Sequence, residues 1–423
     1  MPGSFTNWFK KLIKCYVDGN STHPQIRKHK DPVLELHRLA RAEKHRLAAI
    51  DYGGKLPPVW MGFIIQWLIW PVLSLRNAVR EFLYPTKDFK RRWSHCIADL
   101  WTMWWLAMRY NLSPFHFYMY RLHHNGWSKG KEPFLLTAWE FNCIGRRMTR
   151  MRGNDVGLLD NKDRFFNFCI ENQLQTVPVI DLNDPVAVEG MEARDLFVKT
   201  VLGHSGLGIQ ILEFDHDSHK WALGSKSLER TELKAALDEC YGDEPYIVCY
   251  RCKNHDEIKW MSDKVLTTMR ILTAWNNEGE VDLLRVTLRV PSTPEAVIDN
   301  SSQGGLSMPI DPMTGEVIGT AKSWKKDFVT DTMPGSERRL VGSRLPLWGE
   351  LRDLVCRAHK AAGNYNFLGW DVAIAEEGVL LTECNVWSDI ELVQAPQRRP
   401  FLVDDVLPYF LLEKCLWQDE NGK

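Results

Sequence analysis

The sequence predicts an α+β protein in which a mostly helical N-terminal region precedes a mixed domain. Apolar residues recur at helical spacing through residues 59–150, whereas glycines, β-branched residues and turn signals become frequent after Asn154. Short strand-like runs then alternate with helical ones. The chain has 423 residues, of which 44% are hydrophobic and 25% are charged, and this composition excludes a disordered chain, a collagen-like fibre and a polytopic membrane protein.

Charge divides the chain at about the same point. Residues 1–150 carry 24 Lys and Arg against 10 Asp and Glu, together with 10 of the 18 Trp, whereas the remainder carries 29 against 44. Such a basic region can bind nucleic acid, an anionic membrane or an acidic partner. No nucleic-acid fold signature accompanies it, so we expect no nucleic-acid partner. Trp-rich runs flanked by Arg and Lys favour a membrane surface or a lipid-linked substrate.

The N-terminal helices are predicted from local signals. One helix should run from Pro32 to about Ala49, and Ser113-Pro114 is a typical helix start. The longest apolar run, Trp60–Leu73, is shorter than the roughly 20 residues that a membrane span needs. It is either an interfacial segment or a helix of a buried core, and the run Trp101–Tyr110 has the same two interpretations.

Cysteine usage and the first residues favour a cytoplasmic protein. The ten Cys lack the dense spacing of a secreted scaffold, and residues 1–20 contain no continuous apolar segment of a secretory signal. Cys249 and Cys252 form the only C-x-x-C pair, for which we expect a structural role. The predicted location is the cytoplasm, with peripheral contact to the inner face of the membrane.

A glycine-rich loop follows a strand that ends near Lys199. The loop carries Gly203, Gly206 and Gly208, and the β-like run Ile209–Phe214 follows it directly. A P-loop or a dinucleotide fingerprint would continue into a helix instead. A strand–glycine loop–strand can cover nucleotide phosphates, because glycine lets backbone N–H groups approach phosphate oxygens. The alternative is a glycine-rich hairpin without a ligand.

Two strand-like runs near the C-terminus predict a hairpin with carboxylates on one face. With its centre at residue 377, Asp371 lies opposite Glu383, and Asn385 shares the face of Glu383. Oxygen ligands of this kind suit Mg²⁺, which also takes oxygens from nucleotide phosphates. The alternative is an exposed, solvated polar face.

Two further polar features lie between these motifs. Arg270 interrupts the apolar run Thr267–Thr273 and is either a salt-bridged core residue or an anion ligand. The short segment Asp299–Gly305 contains Asn300 and several small residues, which is typical of a functional loop.

In their order along the chain, these motifs resemble the ATP-grasp superfamily, and more closely its sugar-transfer-associated branch, which is related to the alpha-L-glutamate ligases. The resemblance spans roughly residues 110–410. It implies an ATP-grasp fold in which two α+β subdomains clamp ATP, with boundaries at 1–110 for the basic helical region, 111–195 for the first part of the ATP-grasp unit, 196–252 for the nucleotide lid and 253–415 for the subdomain with the metal site.

The resemblance also implies roles for individual residues. Arg270, Lys199 and Asn300 are expected to be catalytic, and Asp371, Glu383 and Asn385 are expected to hold two Mg²⁺. The backbone of the strand around Tyr246–Arg251 is expected to hold adenine, although this strand lacks the carboxylate that usually contacts the ribose. The residues expected to bind ATP are Lys162, Lys199, Gly203, His204, Ser205, Gly206, Gly208, Ile247, Val248, Cys249 and Tyr250.

The implied activity is that of an ADP-forming ligase. A substrate carboxylate would attack the γ-phosphate of ATP, and an amine or alcohol would displace phosphate from the resulting acyl phosphate, in polysaccharide or secondary-metabolite biosynthesis. The substrates would be small or lipid-linked. The alternatives are an ATP-grasp kinase that stops at phosphoryl transfer, and a non-catalytic ATP-binding adaptor at the membrane.

Overall fold

We describe the fold from a computed structural model. It describes residues 31–51, 59–84, 96–110, 112–120, 122, 135–152, 159, 161–201, 208–276, 278–293, 304–323, 328–363, 365–386, 388–397, 399–403 and 407–420. Contacts divide the chain into two compact units. The first comprises Met1–Asn154, Lys325–Asp327 and Trp387–Lys423, and the second comprises Asp155–Trp324 and Phe328–Val386. The four-part division expected from the sequence stays a prediction.

The described elements are mixed α and β, which confirms the predicted fold class. The helices are α1 (Pro32–Asp51), α2 (Val59–Leu83), α3 (Cys96–Tyr110), α4 (Pro114–Met119), α5 (Ala138–Arg152), α6 (Lys162–Glu171), α7 (Pro185–Glu189), α8 (Leu233–Tyr241), α9 (Trp348–Ala362), α10 (Ile390–Gln397) and α11 (Leu407–Glu420). The strands are β1 (Val179–Ile180), β2 (Leu196–Thr200), β3 (Gln210–Asp215), β4 (Lys220–Leu223), β5 (Lys226–Leu228), β6 (Tyr246–Tyr250), β7 (Thr268–Trp275), β8 (Val281–Val290), β9 (Leu306–Ile310), β10 (Ala321–Ser323), β11 (Val329–Thr330), β12 (Phe367–Ala375) and β13 (Gly378–Asn385).

Only helices are described in the first unit, and its N-terminal part is the helical region that the sequence predicts. Helix α4 begins at Pro114 directly after Ser113, because proline suits the first helical position, where its missing N–H is not needed. Buried polar pairs tie distant segments together. His37 Nδ1 lies 2.8 Å from Glu140 Oε1, and His116 Nε2 lies 2.6 Å from Glu391 Oε1.

Helices α2 and α3 pack against each other, as the core interpretation of the apolar runs predicts, and the interfacial interpretation stays a prediction. Trp70 is buried and its Nε1 donates to the Ala107 carbonyl at 3.3 Å, while Trp104 Nε1 donates to the Pro71 carbonyl at 3.2 Å. One face of α2 therefore packs as core. Its opposite face is exposed and apolar, and the side chains of Trp60 and Trp67 lie outside the described residues.

The first sheet of the second unit has the strand order β1-β6-β2-β3-β4-β5. All its pairs are antiparallel. Helix α8 contributes Leu233 and Leu237 to a core that also contains the fully buried Trp221, whose Nε1 donates to the Arg194 carbonyl at 2.9 Å. The strand–loop–strand predicted around Lys199 is confirmed, because Val198 of β2 pairs with Gln210 of β3.

The second sheet has the order β11-β10-β9-β8-β7-β12-β13, again antiparallel. Helix α9 packs on the face that bears alternate apolar residues such as Ile271 and Trp370. On that face His359 of α9 lies 2.6 Å from Thr273 Oγ1, which also accepts from Trp370 Nε1 at 2.9 Å. The opposite face carries the polar side chains described next.

Candidate active site

The predicted carboxylate pair lies in one hairpin of the second sheet. Asp371 of β12 pairs directly with Glu383 of β13, and Gly369 pairs with Asn385. The predicted register at this pair is therefore confirmed. Since residues two apart along a strand share a face, the Glu383 and Asn385 side chains lie on the Asp371 side of the sheet.

A β-bulge produces this register. The turn consists of Glu376 and Glu377, because Ala375 pairs with Gly378, and continuing that register would place Thr382 opposite Asp371. The ladder instead shifts between Asp371 and Val372, which leaves Thr382 as the extra residue. A local backbone irregularity thus sets a carboxylate, rather than a hydroxyl, opposite Asp371.

Arg270 is a buried salt-bridged residue, one of the two alternatives that the sequence left open. Arg270 and Asp371 are direct cross-strand partners. Arg270 Nε donates to Asp371 Oδ1 at 2.5 Å, and Nη2 donates to Oδ2 at 3.2 Å. Both side chains are less than a tenth exposed. A bidentate pair of this kind holds both side chains in one orientation.

Arg289 is a further residue of this candidate site, and the sequence analysis missed it. Its Nη2 donates to Asp371 Oδ2 at 3.1 Å, and its Nε donates to Thr268 Oγ1 at 2.9 Å. Burial by itself raises the pKa of the Asp371 carboxyl, but the charges of Arg270 and Arg289 outweigh burial and hold that pKa below its usual value. Asp371 is therefore an ionised carboxylate between two guanidinium groups.

A signal for Arg289 is visible in the sequence of β8. Arg285, Thr287 and Arg289 alternate with the buried apolar residues Val286 and Leu288. Alternation with period two places the polar residues on one face of the strand. Arg270 pairs with Thr287 in the neighbouring strand, so this face is the one that bears Asp371.

Lys162 and Lys199 approach the hairpin from other elements. Lys162 is the first residue of α6, which is capped by Asn161, and its Nζ donates to the Val201 carbonyl at 3.4 Å. The Nζ atom of Lys199, in β2, donates to the Thr382 carbonyl at 3.4 Å. The same atom lies 5.1 Å from the ring centroid of Phe166. Lys199 therefore links the first sheet to the strand that carries Glu383.

The two lysines and Glu383 are electrostatically coupled. Burial lowers the pKa of the Lys162 ammonium, the Glu383 carboxylate counteracts that shift, and the Lys199 charge adds to it. The structure thus brings together the lysines and the carboxylate that the sequence predicted as site residues.

The donor set beside the hairpin fits a hard cation. The Glu383 carboxylate and the Asn385 amide oxygen are ligand types that Mg²⁺ accepts. Both side chains are half-buried, and Asn385 Nδ2 is a buried donor without an acceptor among the described residues. Such a donor suits a phosphate oxygen or a water molecule. Both carboxylate oxygens of Asp371 already accept hydrogen bonds from arginines. Glu383 and Asn385 are therefore better placed than Asp371 to bind a metal ion. The described residues contain no group of three or more His, Cys, Asp or Glu arranged to hold a metal.

The glycine loop is described at its last residue. Gly208 has φ +70°, and a Cβ built there would lie 2.7 Å from Thr200 Cγ2. Its carbonyl accepts from the Tyr241 hydroxyl of α8 at 2.8 Å, a contact that the sequence analysis did not predict. The predicted phosphate contacts of Gly203, His204, Ser205 and Gly206 lie outside the described residues, and so does Asn300.

The predicted adenine strand is β6. It pairs with β2 from Tyr246 to Tyr250 on one side, and with β1 at Val248 and Cys249 on the other. Adenine binding by Ile247, Val248, Cys249 and Tyr250 therefore stays a prediction. Burial raises the pKa of the Cys249 thiol, and that of Cys252 to about 12, so both are inert buried thiols.

A family model confirms the resemblance that these motifs suggested. The model of the sugar-transfer associated ATP-grasp family matches residues 153–401, more than half of the chain. The protein therefore belongs to the sugar-transfer associated ATP-grasp family. No match was found among curated proteins.

Several solved structures are similar at low sequence identity. The D-alanine-D-alanine ligase from Coxiella burnetii is 13% identical, with 62% of this chain and 60% of that chain covered and a TM-score of 0.35. A biotin carboxylase from Campylobacter jejuni is 10% identical, with coverages of 61% and 46% and a TM-score of 0.37. The biotin carboxylase domain of the Hydrogenobacter thermophilus 2-oxoglutarate carboxylase, in complex with MgADP and bicarbonate, is 14% identical, with coverages of 58% and 46% and a TM-score of 0.34. The chain spans about half the length of these proteins.

Proposed function

We propose that this protein is an ATP-dependent ligase that joins a carboxylate to an amine or an alcohol through an acyl phosphate. The observation that carries the proposal is the pairing of Asp371 with Glu383 beside Arg270, with Lys162 coupled electrostatically to Glu383. Membership of the sugar-transfer associated ATP-grasp family supports the same class of reaction.

The charges of the site match the needs of this reaction. ATP and a carboxylate substrate bring several negative charges together, and the transition state of phosphoryl transfer requires that they be neutralised. Lys162 and Lys199 are cations at the end of β13 where Glu383 lies. In the proposed site they would contact the phosphates. Glu383 and Asn385, with Asp371 beside them, would hold Mg²⁺, which would supply positive charge to the phosphate oxygens.

The arginines have a different part in this proposal. Arg270 and Arg289 hold Asp371 ionised and fixed. Arg270 lies on the polar face of the sheet, directly across from Asp371. In this proposal it orients the substrate carboxylate or the acyl phosphate.

The proposed reaction has two displacements. A carboxylate oxygen attacks the γ-phosphorus of ATP, the bond from that phosphorus to the β–γ bridging oxygen breaks, and ADP leaves. The nucleophilic nitrogen or oxygen then attacks the acyl carbon, the bond from that carbon to the phosphate oxygen breaks, and inorganic phosphate leaves while the nucleophile loses a proton. The products are an amide or ester, ADP and phosphate.

The substrates that we propose are small-molecule or lipid-linked carboxylates and nucleophiles of polysaccharide or secondary-metabolite assembly. We place the enzyme in the cytoplasm, in contact with the inner face of the membrane. The sugar-transfer association of the family supports this context. Among the described residues, no helix is long and apolar enough to cross a bilayer.

Mass spectrometry of product pools tests the reaction. The full chain is incubated with ATP, Mg²⁺ and pools of amino acids and sugar acids, and ADP is quantified together with new masses. We expect a condensation product in equimolar amount to ADP, and a loss of about 100-fold or more in ADP release for Glu383→Gln. The matched control is Glu350→Gln, an exposed glutamate of α9, which should keep full activity.

The same experiment distinguishes the alternatives. A phosphorylated acid without condensation in any pool would establish the kinase instead. ATP binding by calorimetry without ADP release would establish the non-catalytic adaptor. ADP release that is unchanged in Glu383→Gln would overturn the assignment of the site.

A further inference from the structure

Helices α2 and α3 of the first unit pack side by side and present a large apolar surface to solvent. Their contact side includes the buried Trp70 and the Trp104–Pro71 hydrogen bond. Ser74 Oγ also lies 3.4 Å from Met108 Sδ across the pair. These contacts fix which side of each helix faces the neighbour and which faces outward.

The outward side of α2 is an apolar stripe. Its members are spaced three or four residues apart, so they lie on one face of the helix. Leu68 is 71% exposed and Val72 is 68% exposed, opposite the buried Trp70, Ser74 and Ala78. The exposed apolar residues of the stripe are Leu68, Val72, Leu75, Val79 and Leu83.

Helix α3 also exposes large apolar side chains, two of them aromatic. Ile97, Trp101 and Trp105 are spaced four residues apart and are 74%, 59% and 51% exposed, respectively. Between them lie only Ala98 and Thr102 as further exposed residues. We refer to the five residues of the α2 stripe together with Ile97, Trp101 and Trp105 as the α2–α3 face. Soluble proteins rarely expose so many large apolar side chains on two adjacent helices unless these bind a partner or a membrane.

Basic residues border the α2–α3 face. Arg76 and Arg80 are exposed along one side of the α2 stripe. In the sequence, the segment that connects the two helices, residues 84–95, adds Lys87, Lys90, Arg91 and Arg92 against the single acid Asp88. The region as a whole carries 24 basic against 10 acidic residues up to position 150. Among the described residues, Arg76 and Arg80 therefore place positive charge beside an apolar stripe, and the sequence of the connecting segment is basic as well.

We propose that the α2–α3 face binds the surface of an anionic lipid bilayer. Leu, Val and Ile side chains would enter the boundary between headgroups and acyl chains, where Trp rings are favoured, and the arginines would contact lipid phosphates. The charge pattern is what selects this occupant, because a lipid surface offers continuous negative charge around an apolar interior. The surface is independent of the proposed ligase reaction and lies on elements that contribute no residue to it.

Liposome flotation of the full chain tests the proposal. The probes are vesicles of phosphatidylcholine alone and of phosphatidylcholine with 30 mol% phosphatidylglycerol. We expect the protein to float with the anionic vesicles and much less with the neutral ones. Leu68→Ser/Trp101→Ser should reduce partitioning by at least about tenfold. Arg76→Gln/Arg80→Gln should reduce it roughly fivefold for each arginine, and only on anionic vesicles.

Matched substitutions elsewhere serve as controls. Val186→Ser/Met313→Ser alters two apolar residues of the second unit that are 77% and 67% exposed, and Arg339→Gln/Arg344→Gln alters two exposed arginines. Both should float like the unaltered protein. All variants should keep the melting temperature, because the altered side chains are exposed.

Three outcomes would overturn the proposal. The first is equal recovery with and without vesicles, and the second is flotation that the control variants reduce as much as the α2–α3 variants. The third is a protein that stays in the soluble fraction as a dimer by light scattering and becomes monomeric in Leu68→Ser/Trp101→Ser, which would show that a second copy covers the face. Activity of the Glu383→Gln variant plays no part in these results, so failure of the ligase proposal is distinguishable from failure of this one.

Discussion

Arg270 and Asp371 are neighbours across two strands and share two hydrogen bonds in the interior of the second sheet. Their pairing brings an ionised carboxylate to the polar face of the sheet, where Arg289 donates a third hydrogen bond. A buried carboxylate is stable only when it is paired and hydrogen-bonded. The two arginines therefore have a structural role that is measurable apart from catalysis.

Removal of Arg289 should destabilise the second unit. Arg289→Gln takes one cation from a buried network and leaves Asp371 with Arg270 alone, which should lower the free energy of unfolding by about 3 kcal/mol. Arg289→Lys keeps the positive charge but loses the planar, two-pronged arrangement of N–H donors. It should lower the free energy of unfolding by about half as much. Urea unfolding measures both. Arg344→Gln, in an exposed pair with Glu316, should change the free energy by less than about 0.5 kcal/mol. Equal effects of Arg289→Gln and Arg344→Gln would contradict this account of Asp371.

Gly315 is required by the packing of Trp348. It has φ +73°, and a Cβ built there would lie 2.5 Å from the Trp348 ring. Gly315→Ala should therefore lower the free energy of unfolding by about 3 kcal/mol, from backbone strain and overpacking together. Gly342→Ala is the matched control, because Gly342 has φ +87° and nothing within 4 Å of a built Cβ. Gly342→Ala should lower the free energy of unfolding by about 1 kcal/mol, as backbone strain alone predicts. An equal decrease in the two variants would show that the Trp348 contact is unimportant.

A side chain at position 208 should destabilise the protein, because it would clash with Thr200. Gly208→Ala introduces a methyl group 2.7 Å from Thr200 Cγ2 at a residue with φ +70°. We expect a loss of about 2 kcal/mol in the free energy of unfolding. Thr200→Ser removes the clashing methyl group, so the double variant should recover about half of that loss. Gly224→Ala, at φ +60° with nothing within 4 Å, gives the strain contribution for comparison. Thermal unfolding of the unaltered protein, the single variants and the double variant measures these losses. No recovery of stability in the double variant would rule out the steric cause.

His359 should make stability fall in mild acid. Burial lowers the pKa of the His359 imidazole to about 4, from a usual value near 6.5. The folded state thus binds this proton more weakly than the unfolded state. Its contribution is fully present above pH 6.5 and is lost as the pH falls towards 4. Between pH 7 and pH 5 the loss should be about 2 kcal/mol in the free energy of unfolding.

The variant His359→Gln isolates this contribution. Glutamine can retain a hydrogen bond to Thr273 Oγ1 or to the Tyr365 carbonyl, both of which lie within 2.8 Å of the histidine ring nitrogens. Urea unfolding of both proteins at pH 7 and pH 5 provides the comparison. Between pH 7 and pH 5, the free energy of unfolding of the variant should change by about 2 kcal/mol less than that of the unaltered protein. An identical pH dependence would contradict the assignment to His359.

Much of the fold was predictable because strand and helix signals are local. The helix predicted from Pro32 to about Ala49 ends at Asp51, and a helix begins at Pro114 as predicted. The Asp371–Glu383 pairing followed from the hairpin, although the bulge at Thr382, rather than the assumed turn, produces it. Arg289 was not predicted as a site residue, because the local sequence does not indicate which strand pairs with β7.

The sequence by itself determined the elements, the motif order and the chemical types available to the site, since these depend on neighbours along the chain. Only the tertiary structure decided that Arg270 and Arg289 share Asp371, and that Lys162 and Lys199 approach Glu383 from different elements. It also decided that Trp70 is buried while Trp101 is exposed, although both lie in apolar runs. The physical reason is that pairing between distant strands and the choice of a helix face depend on long-range packing, which local periodicity does not encode.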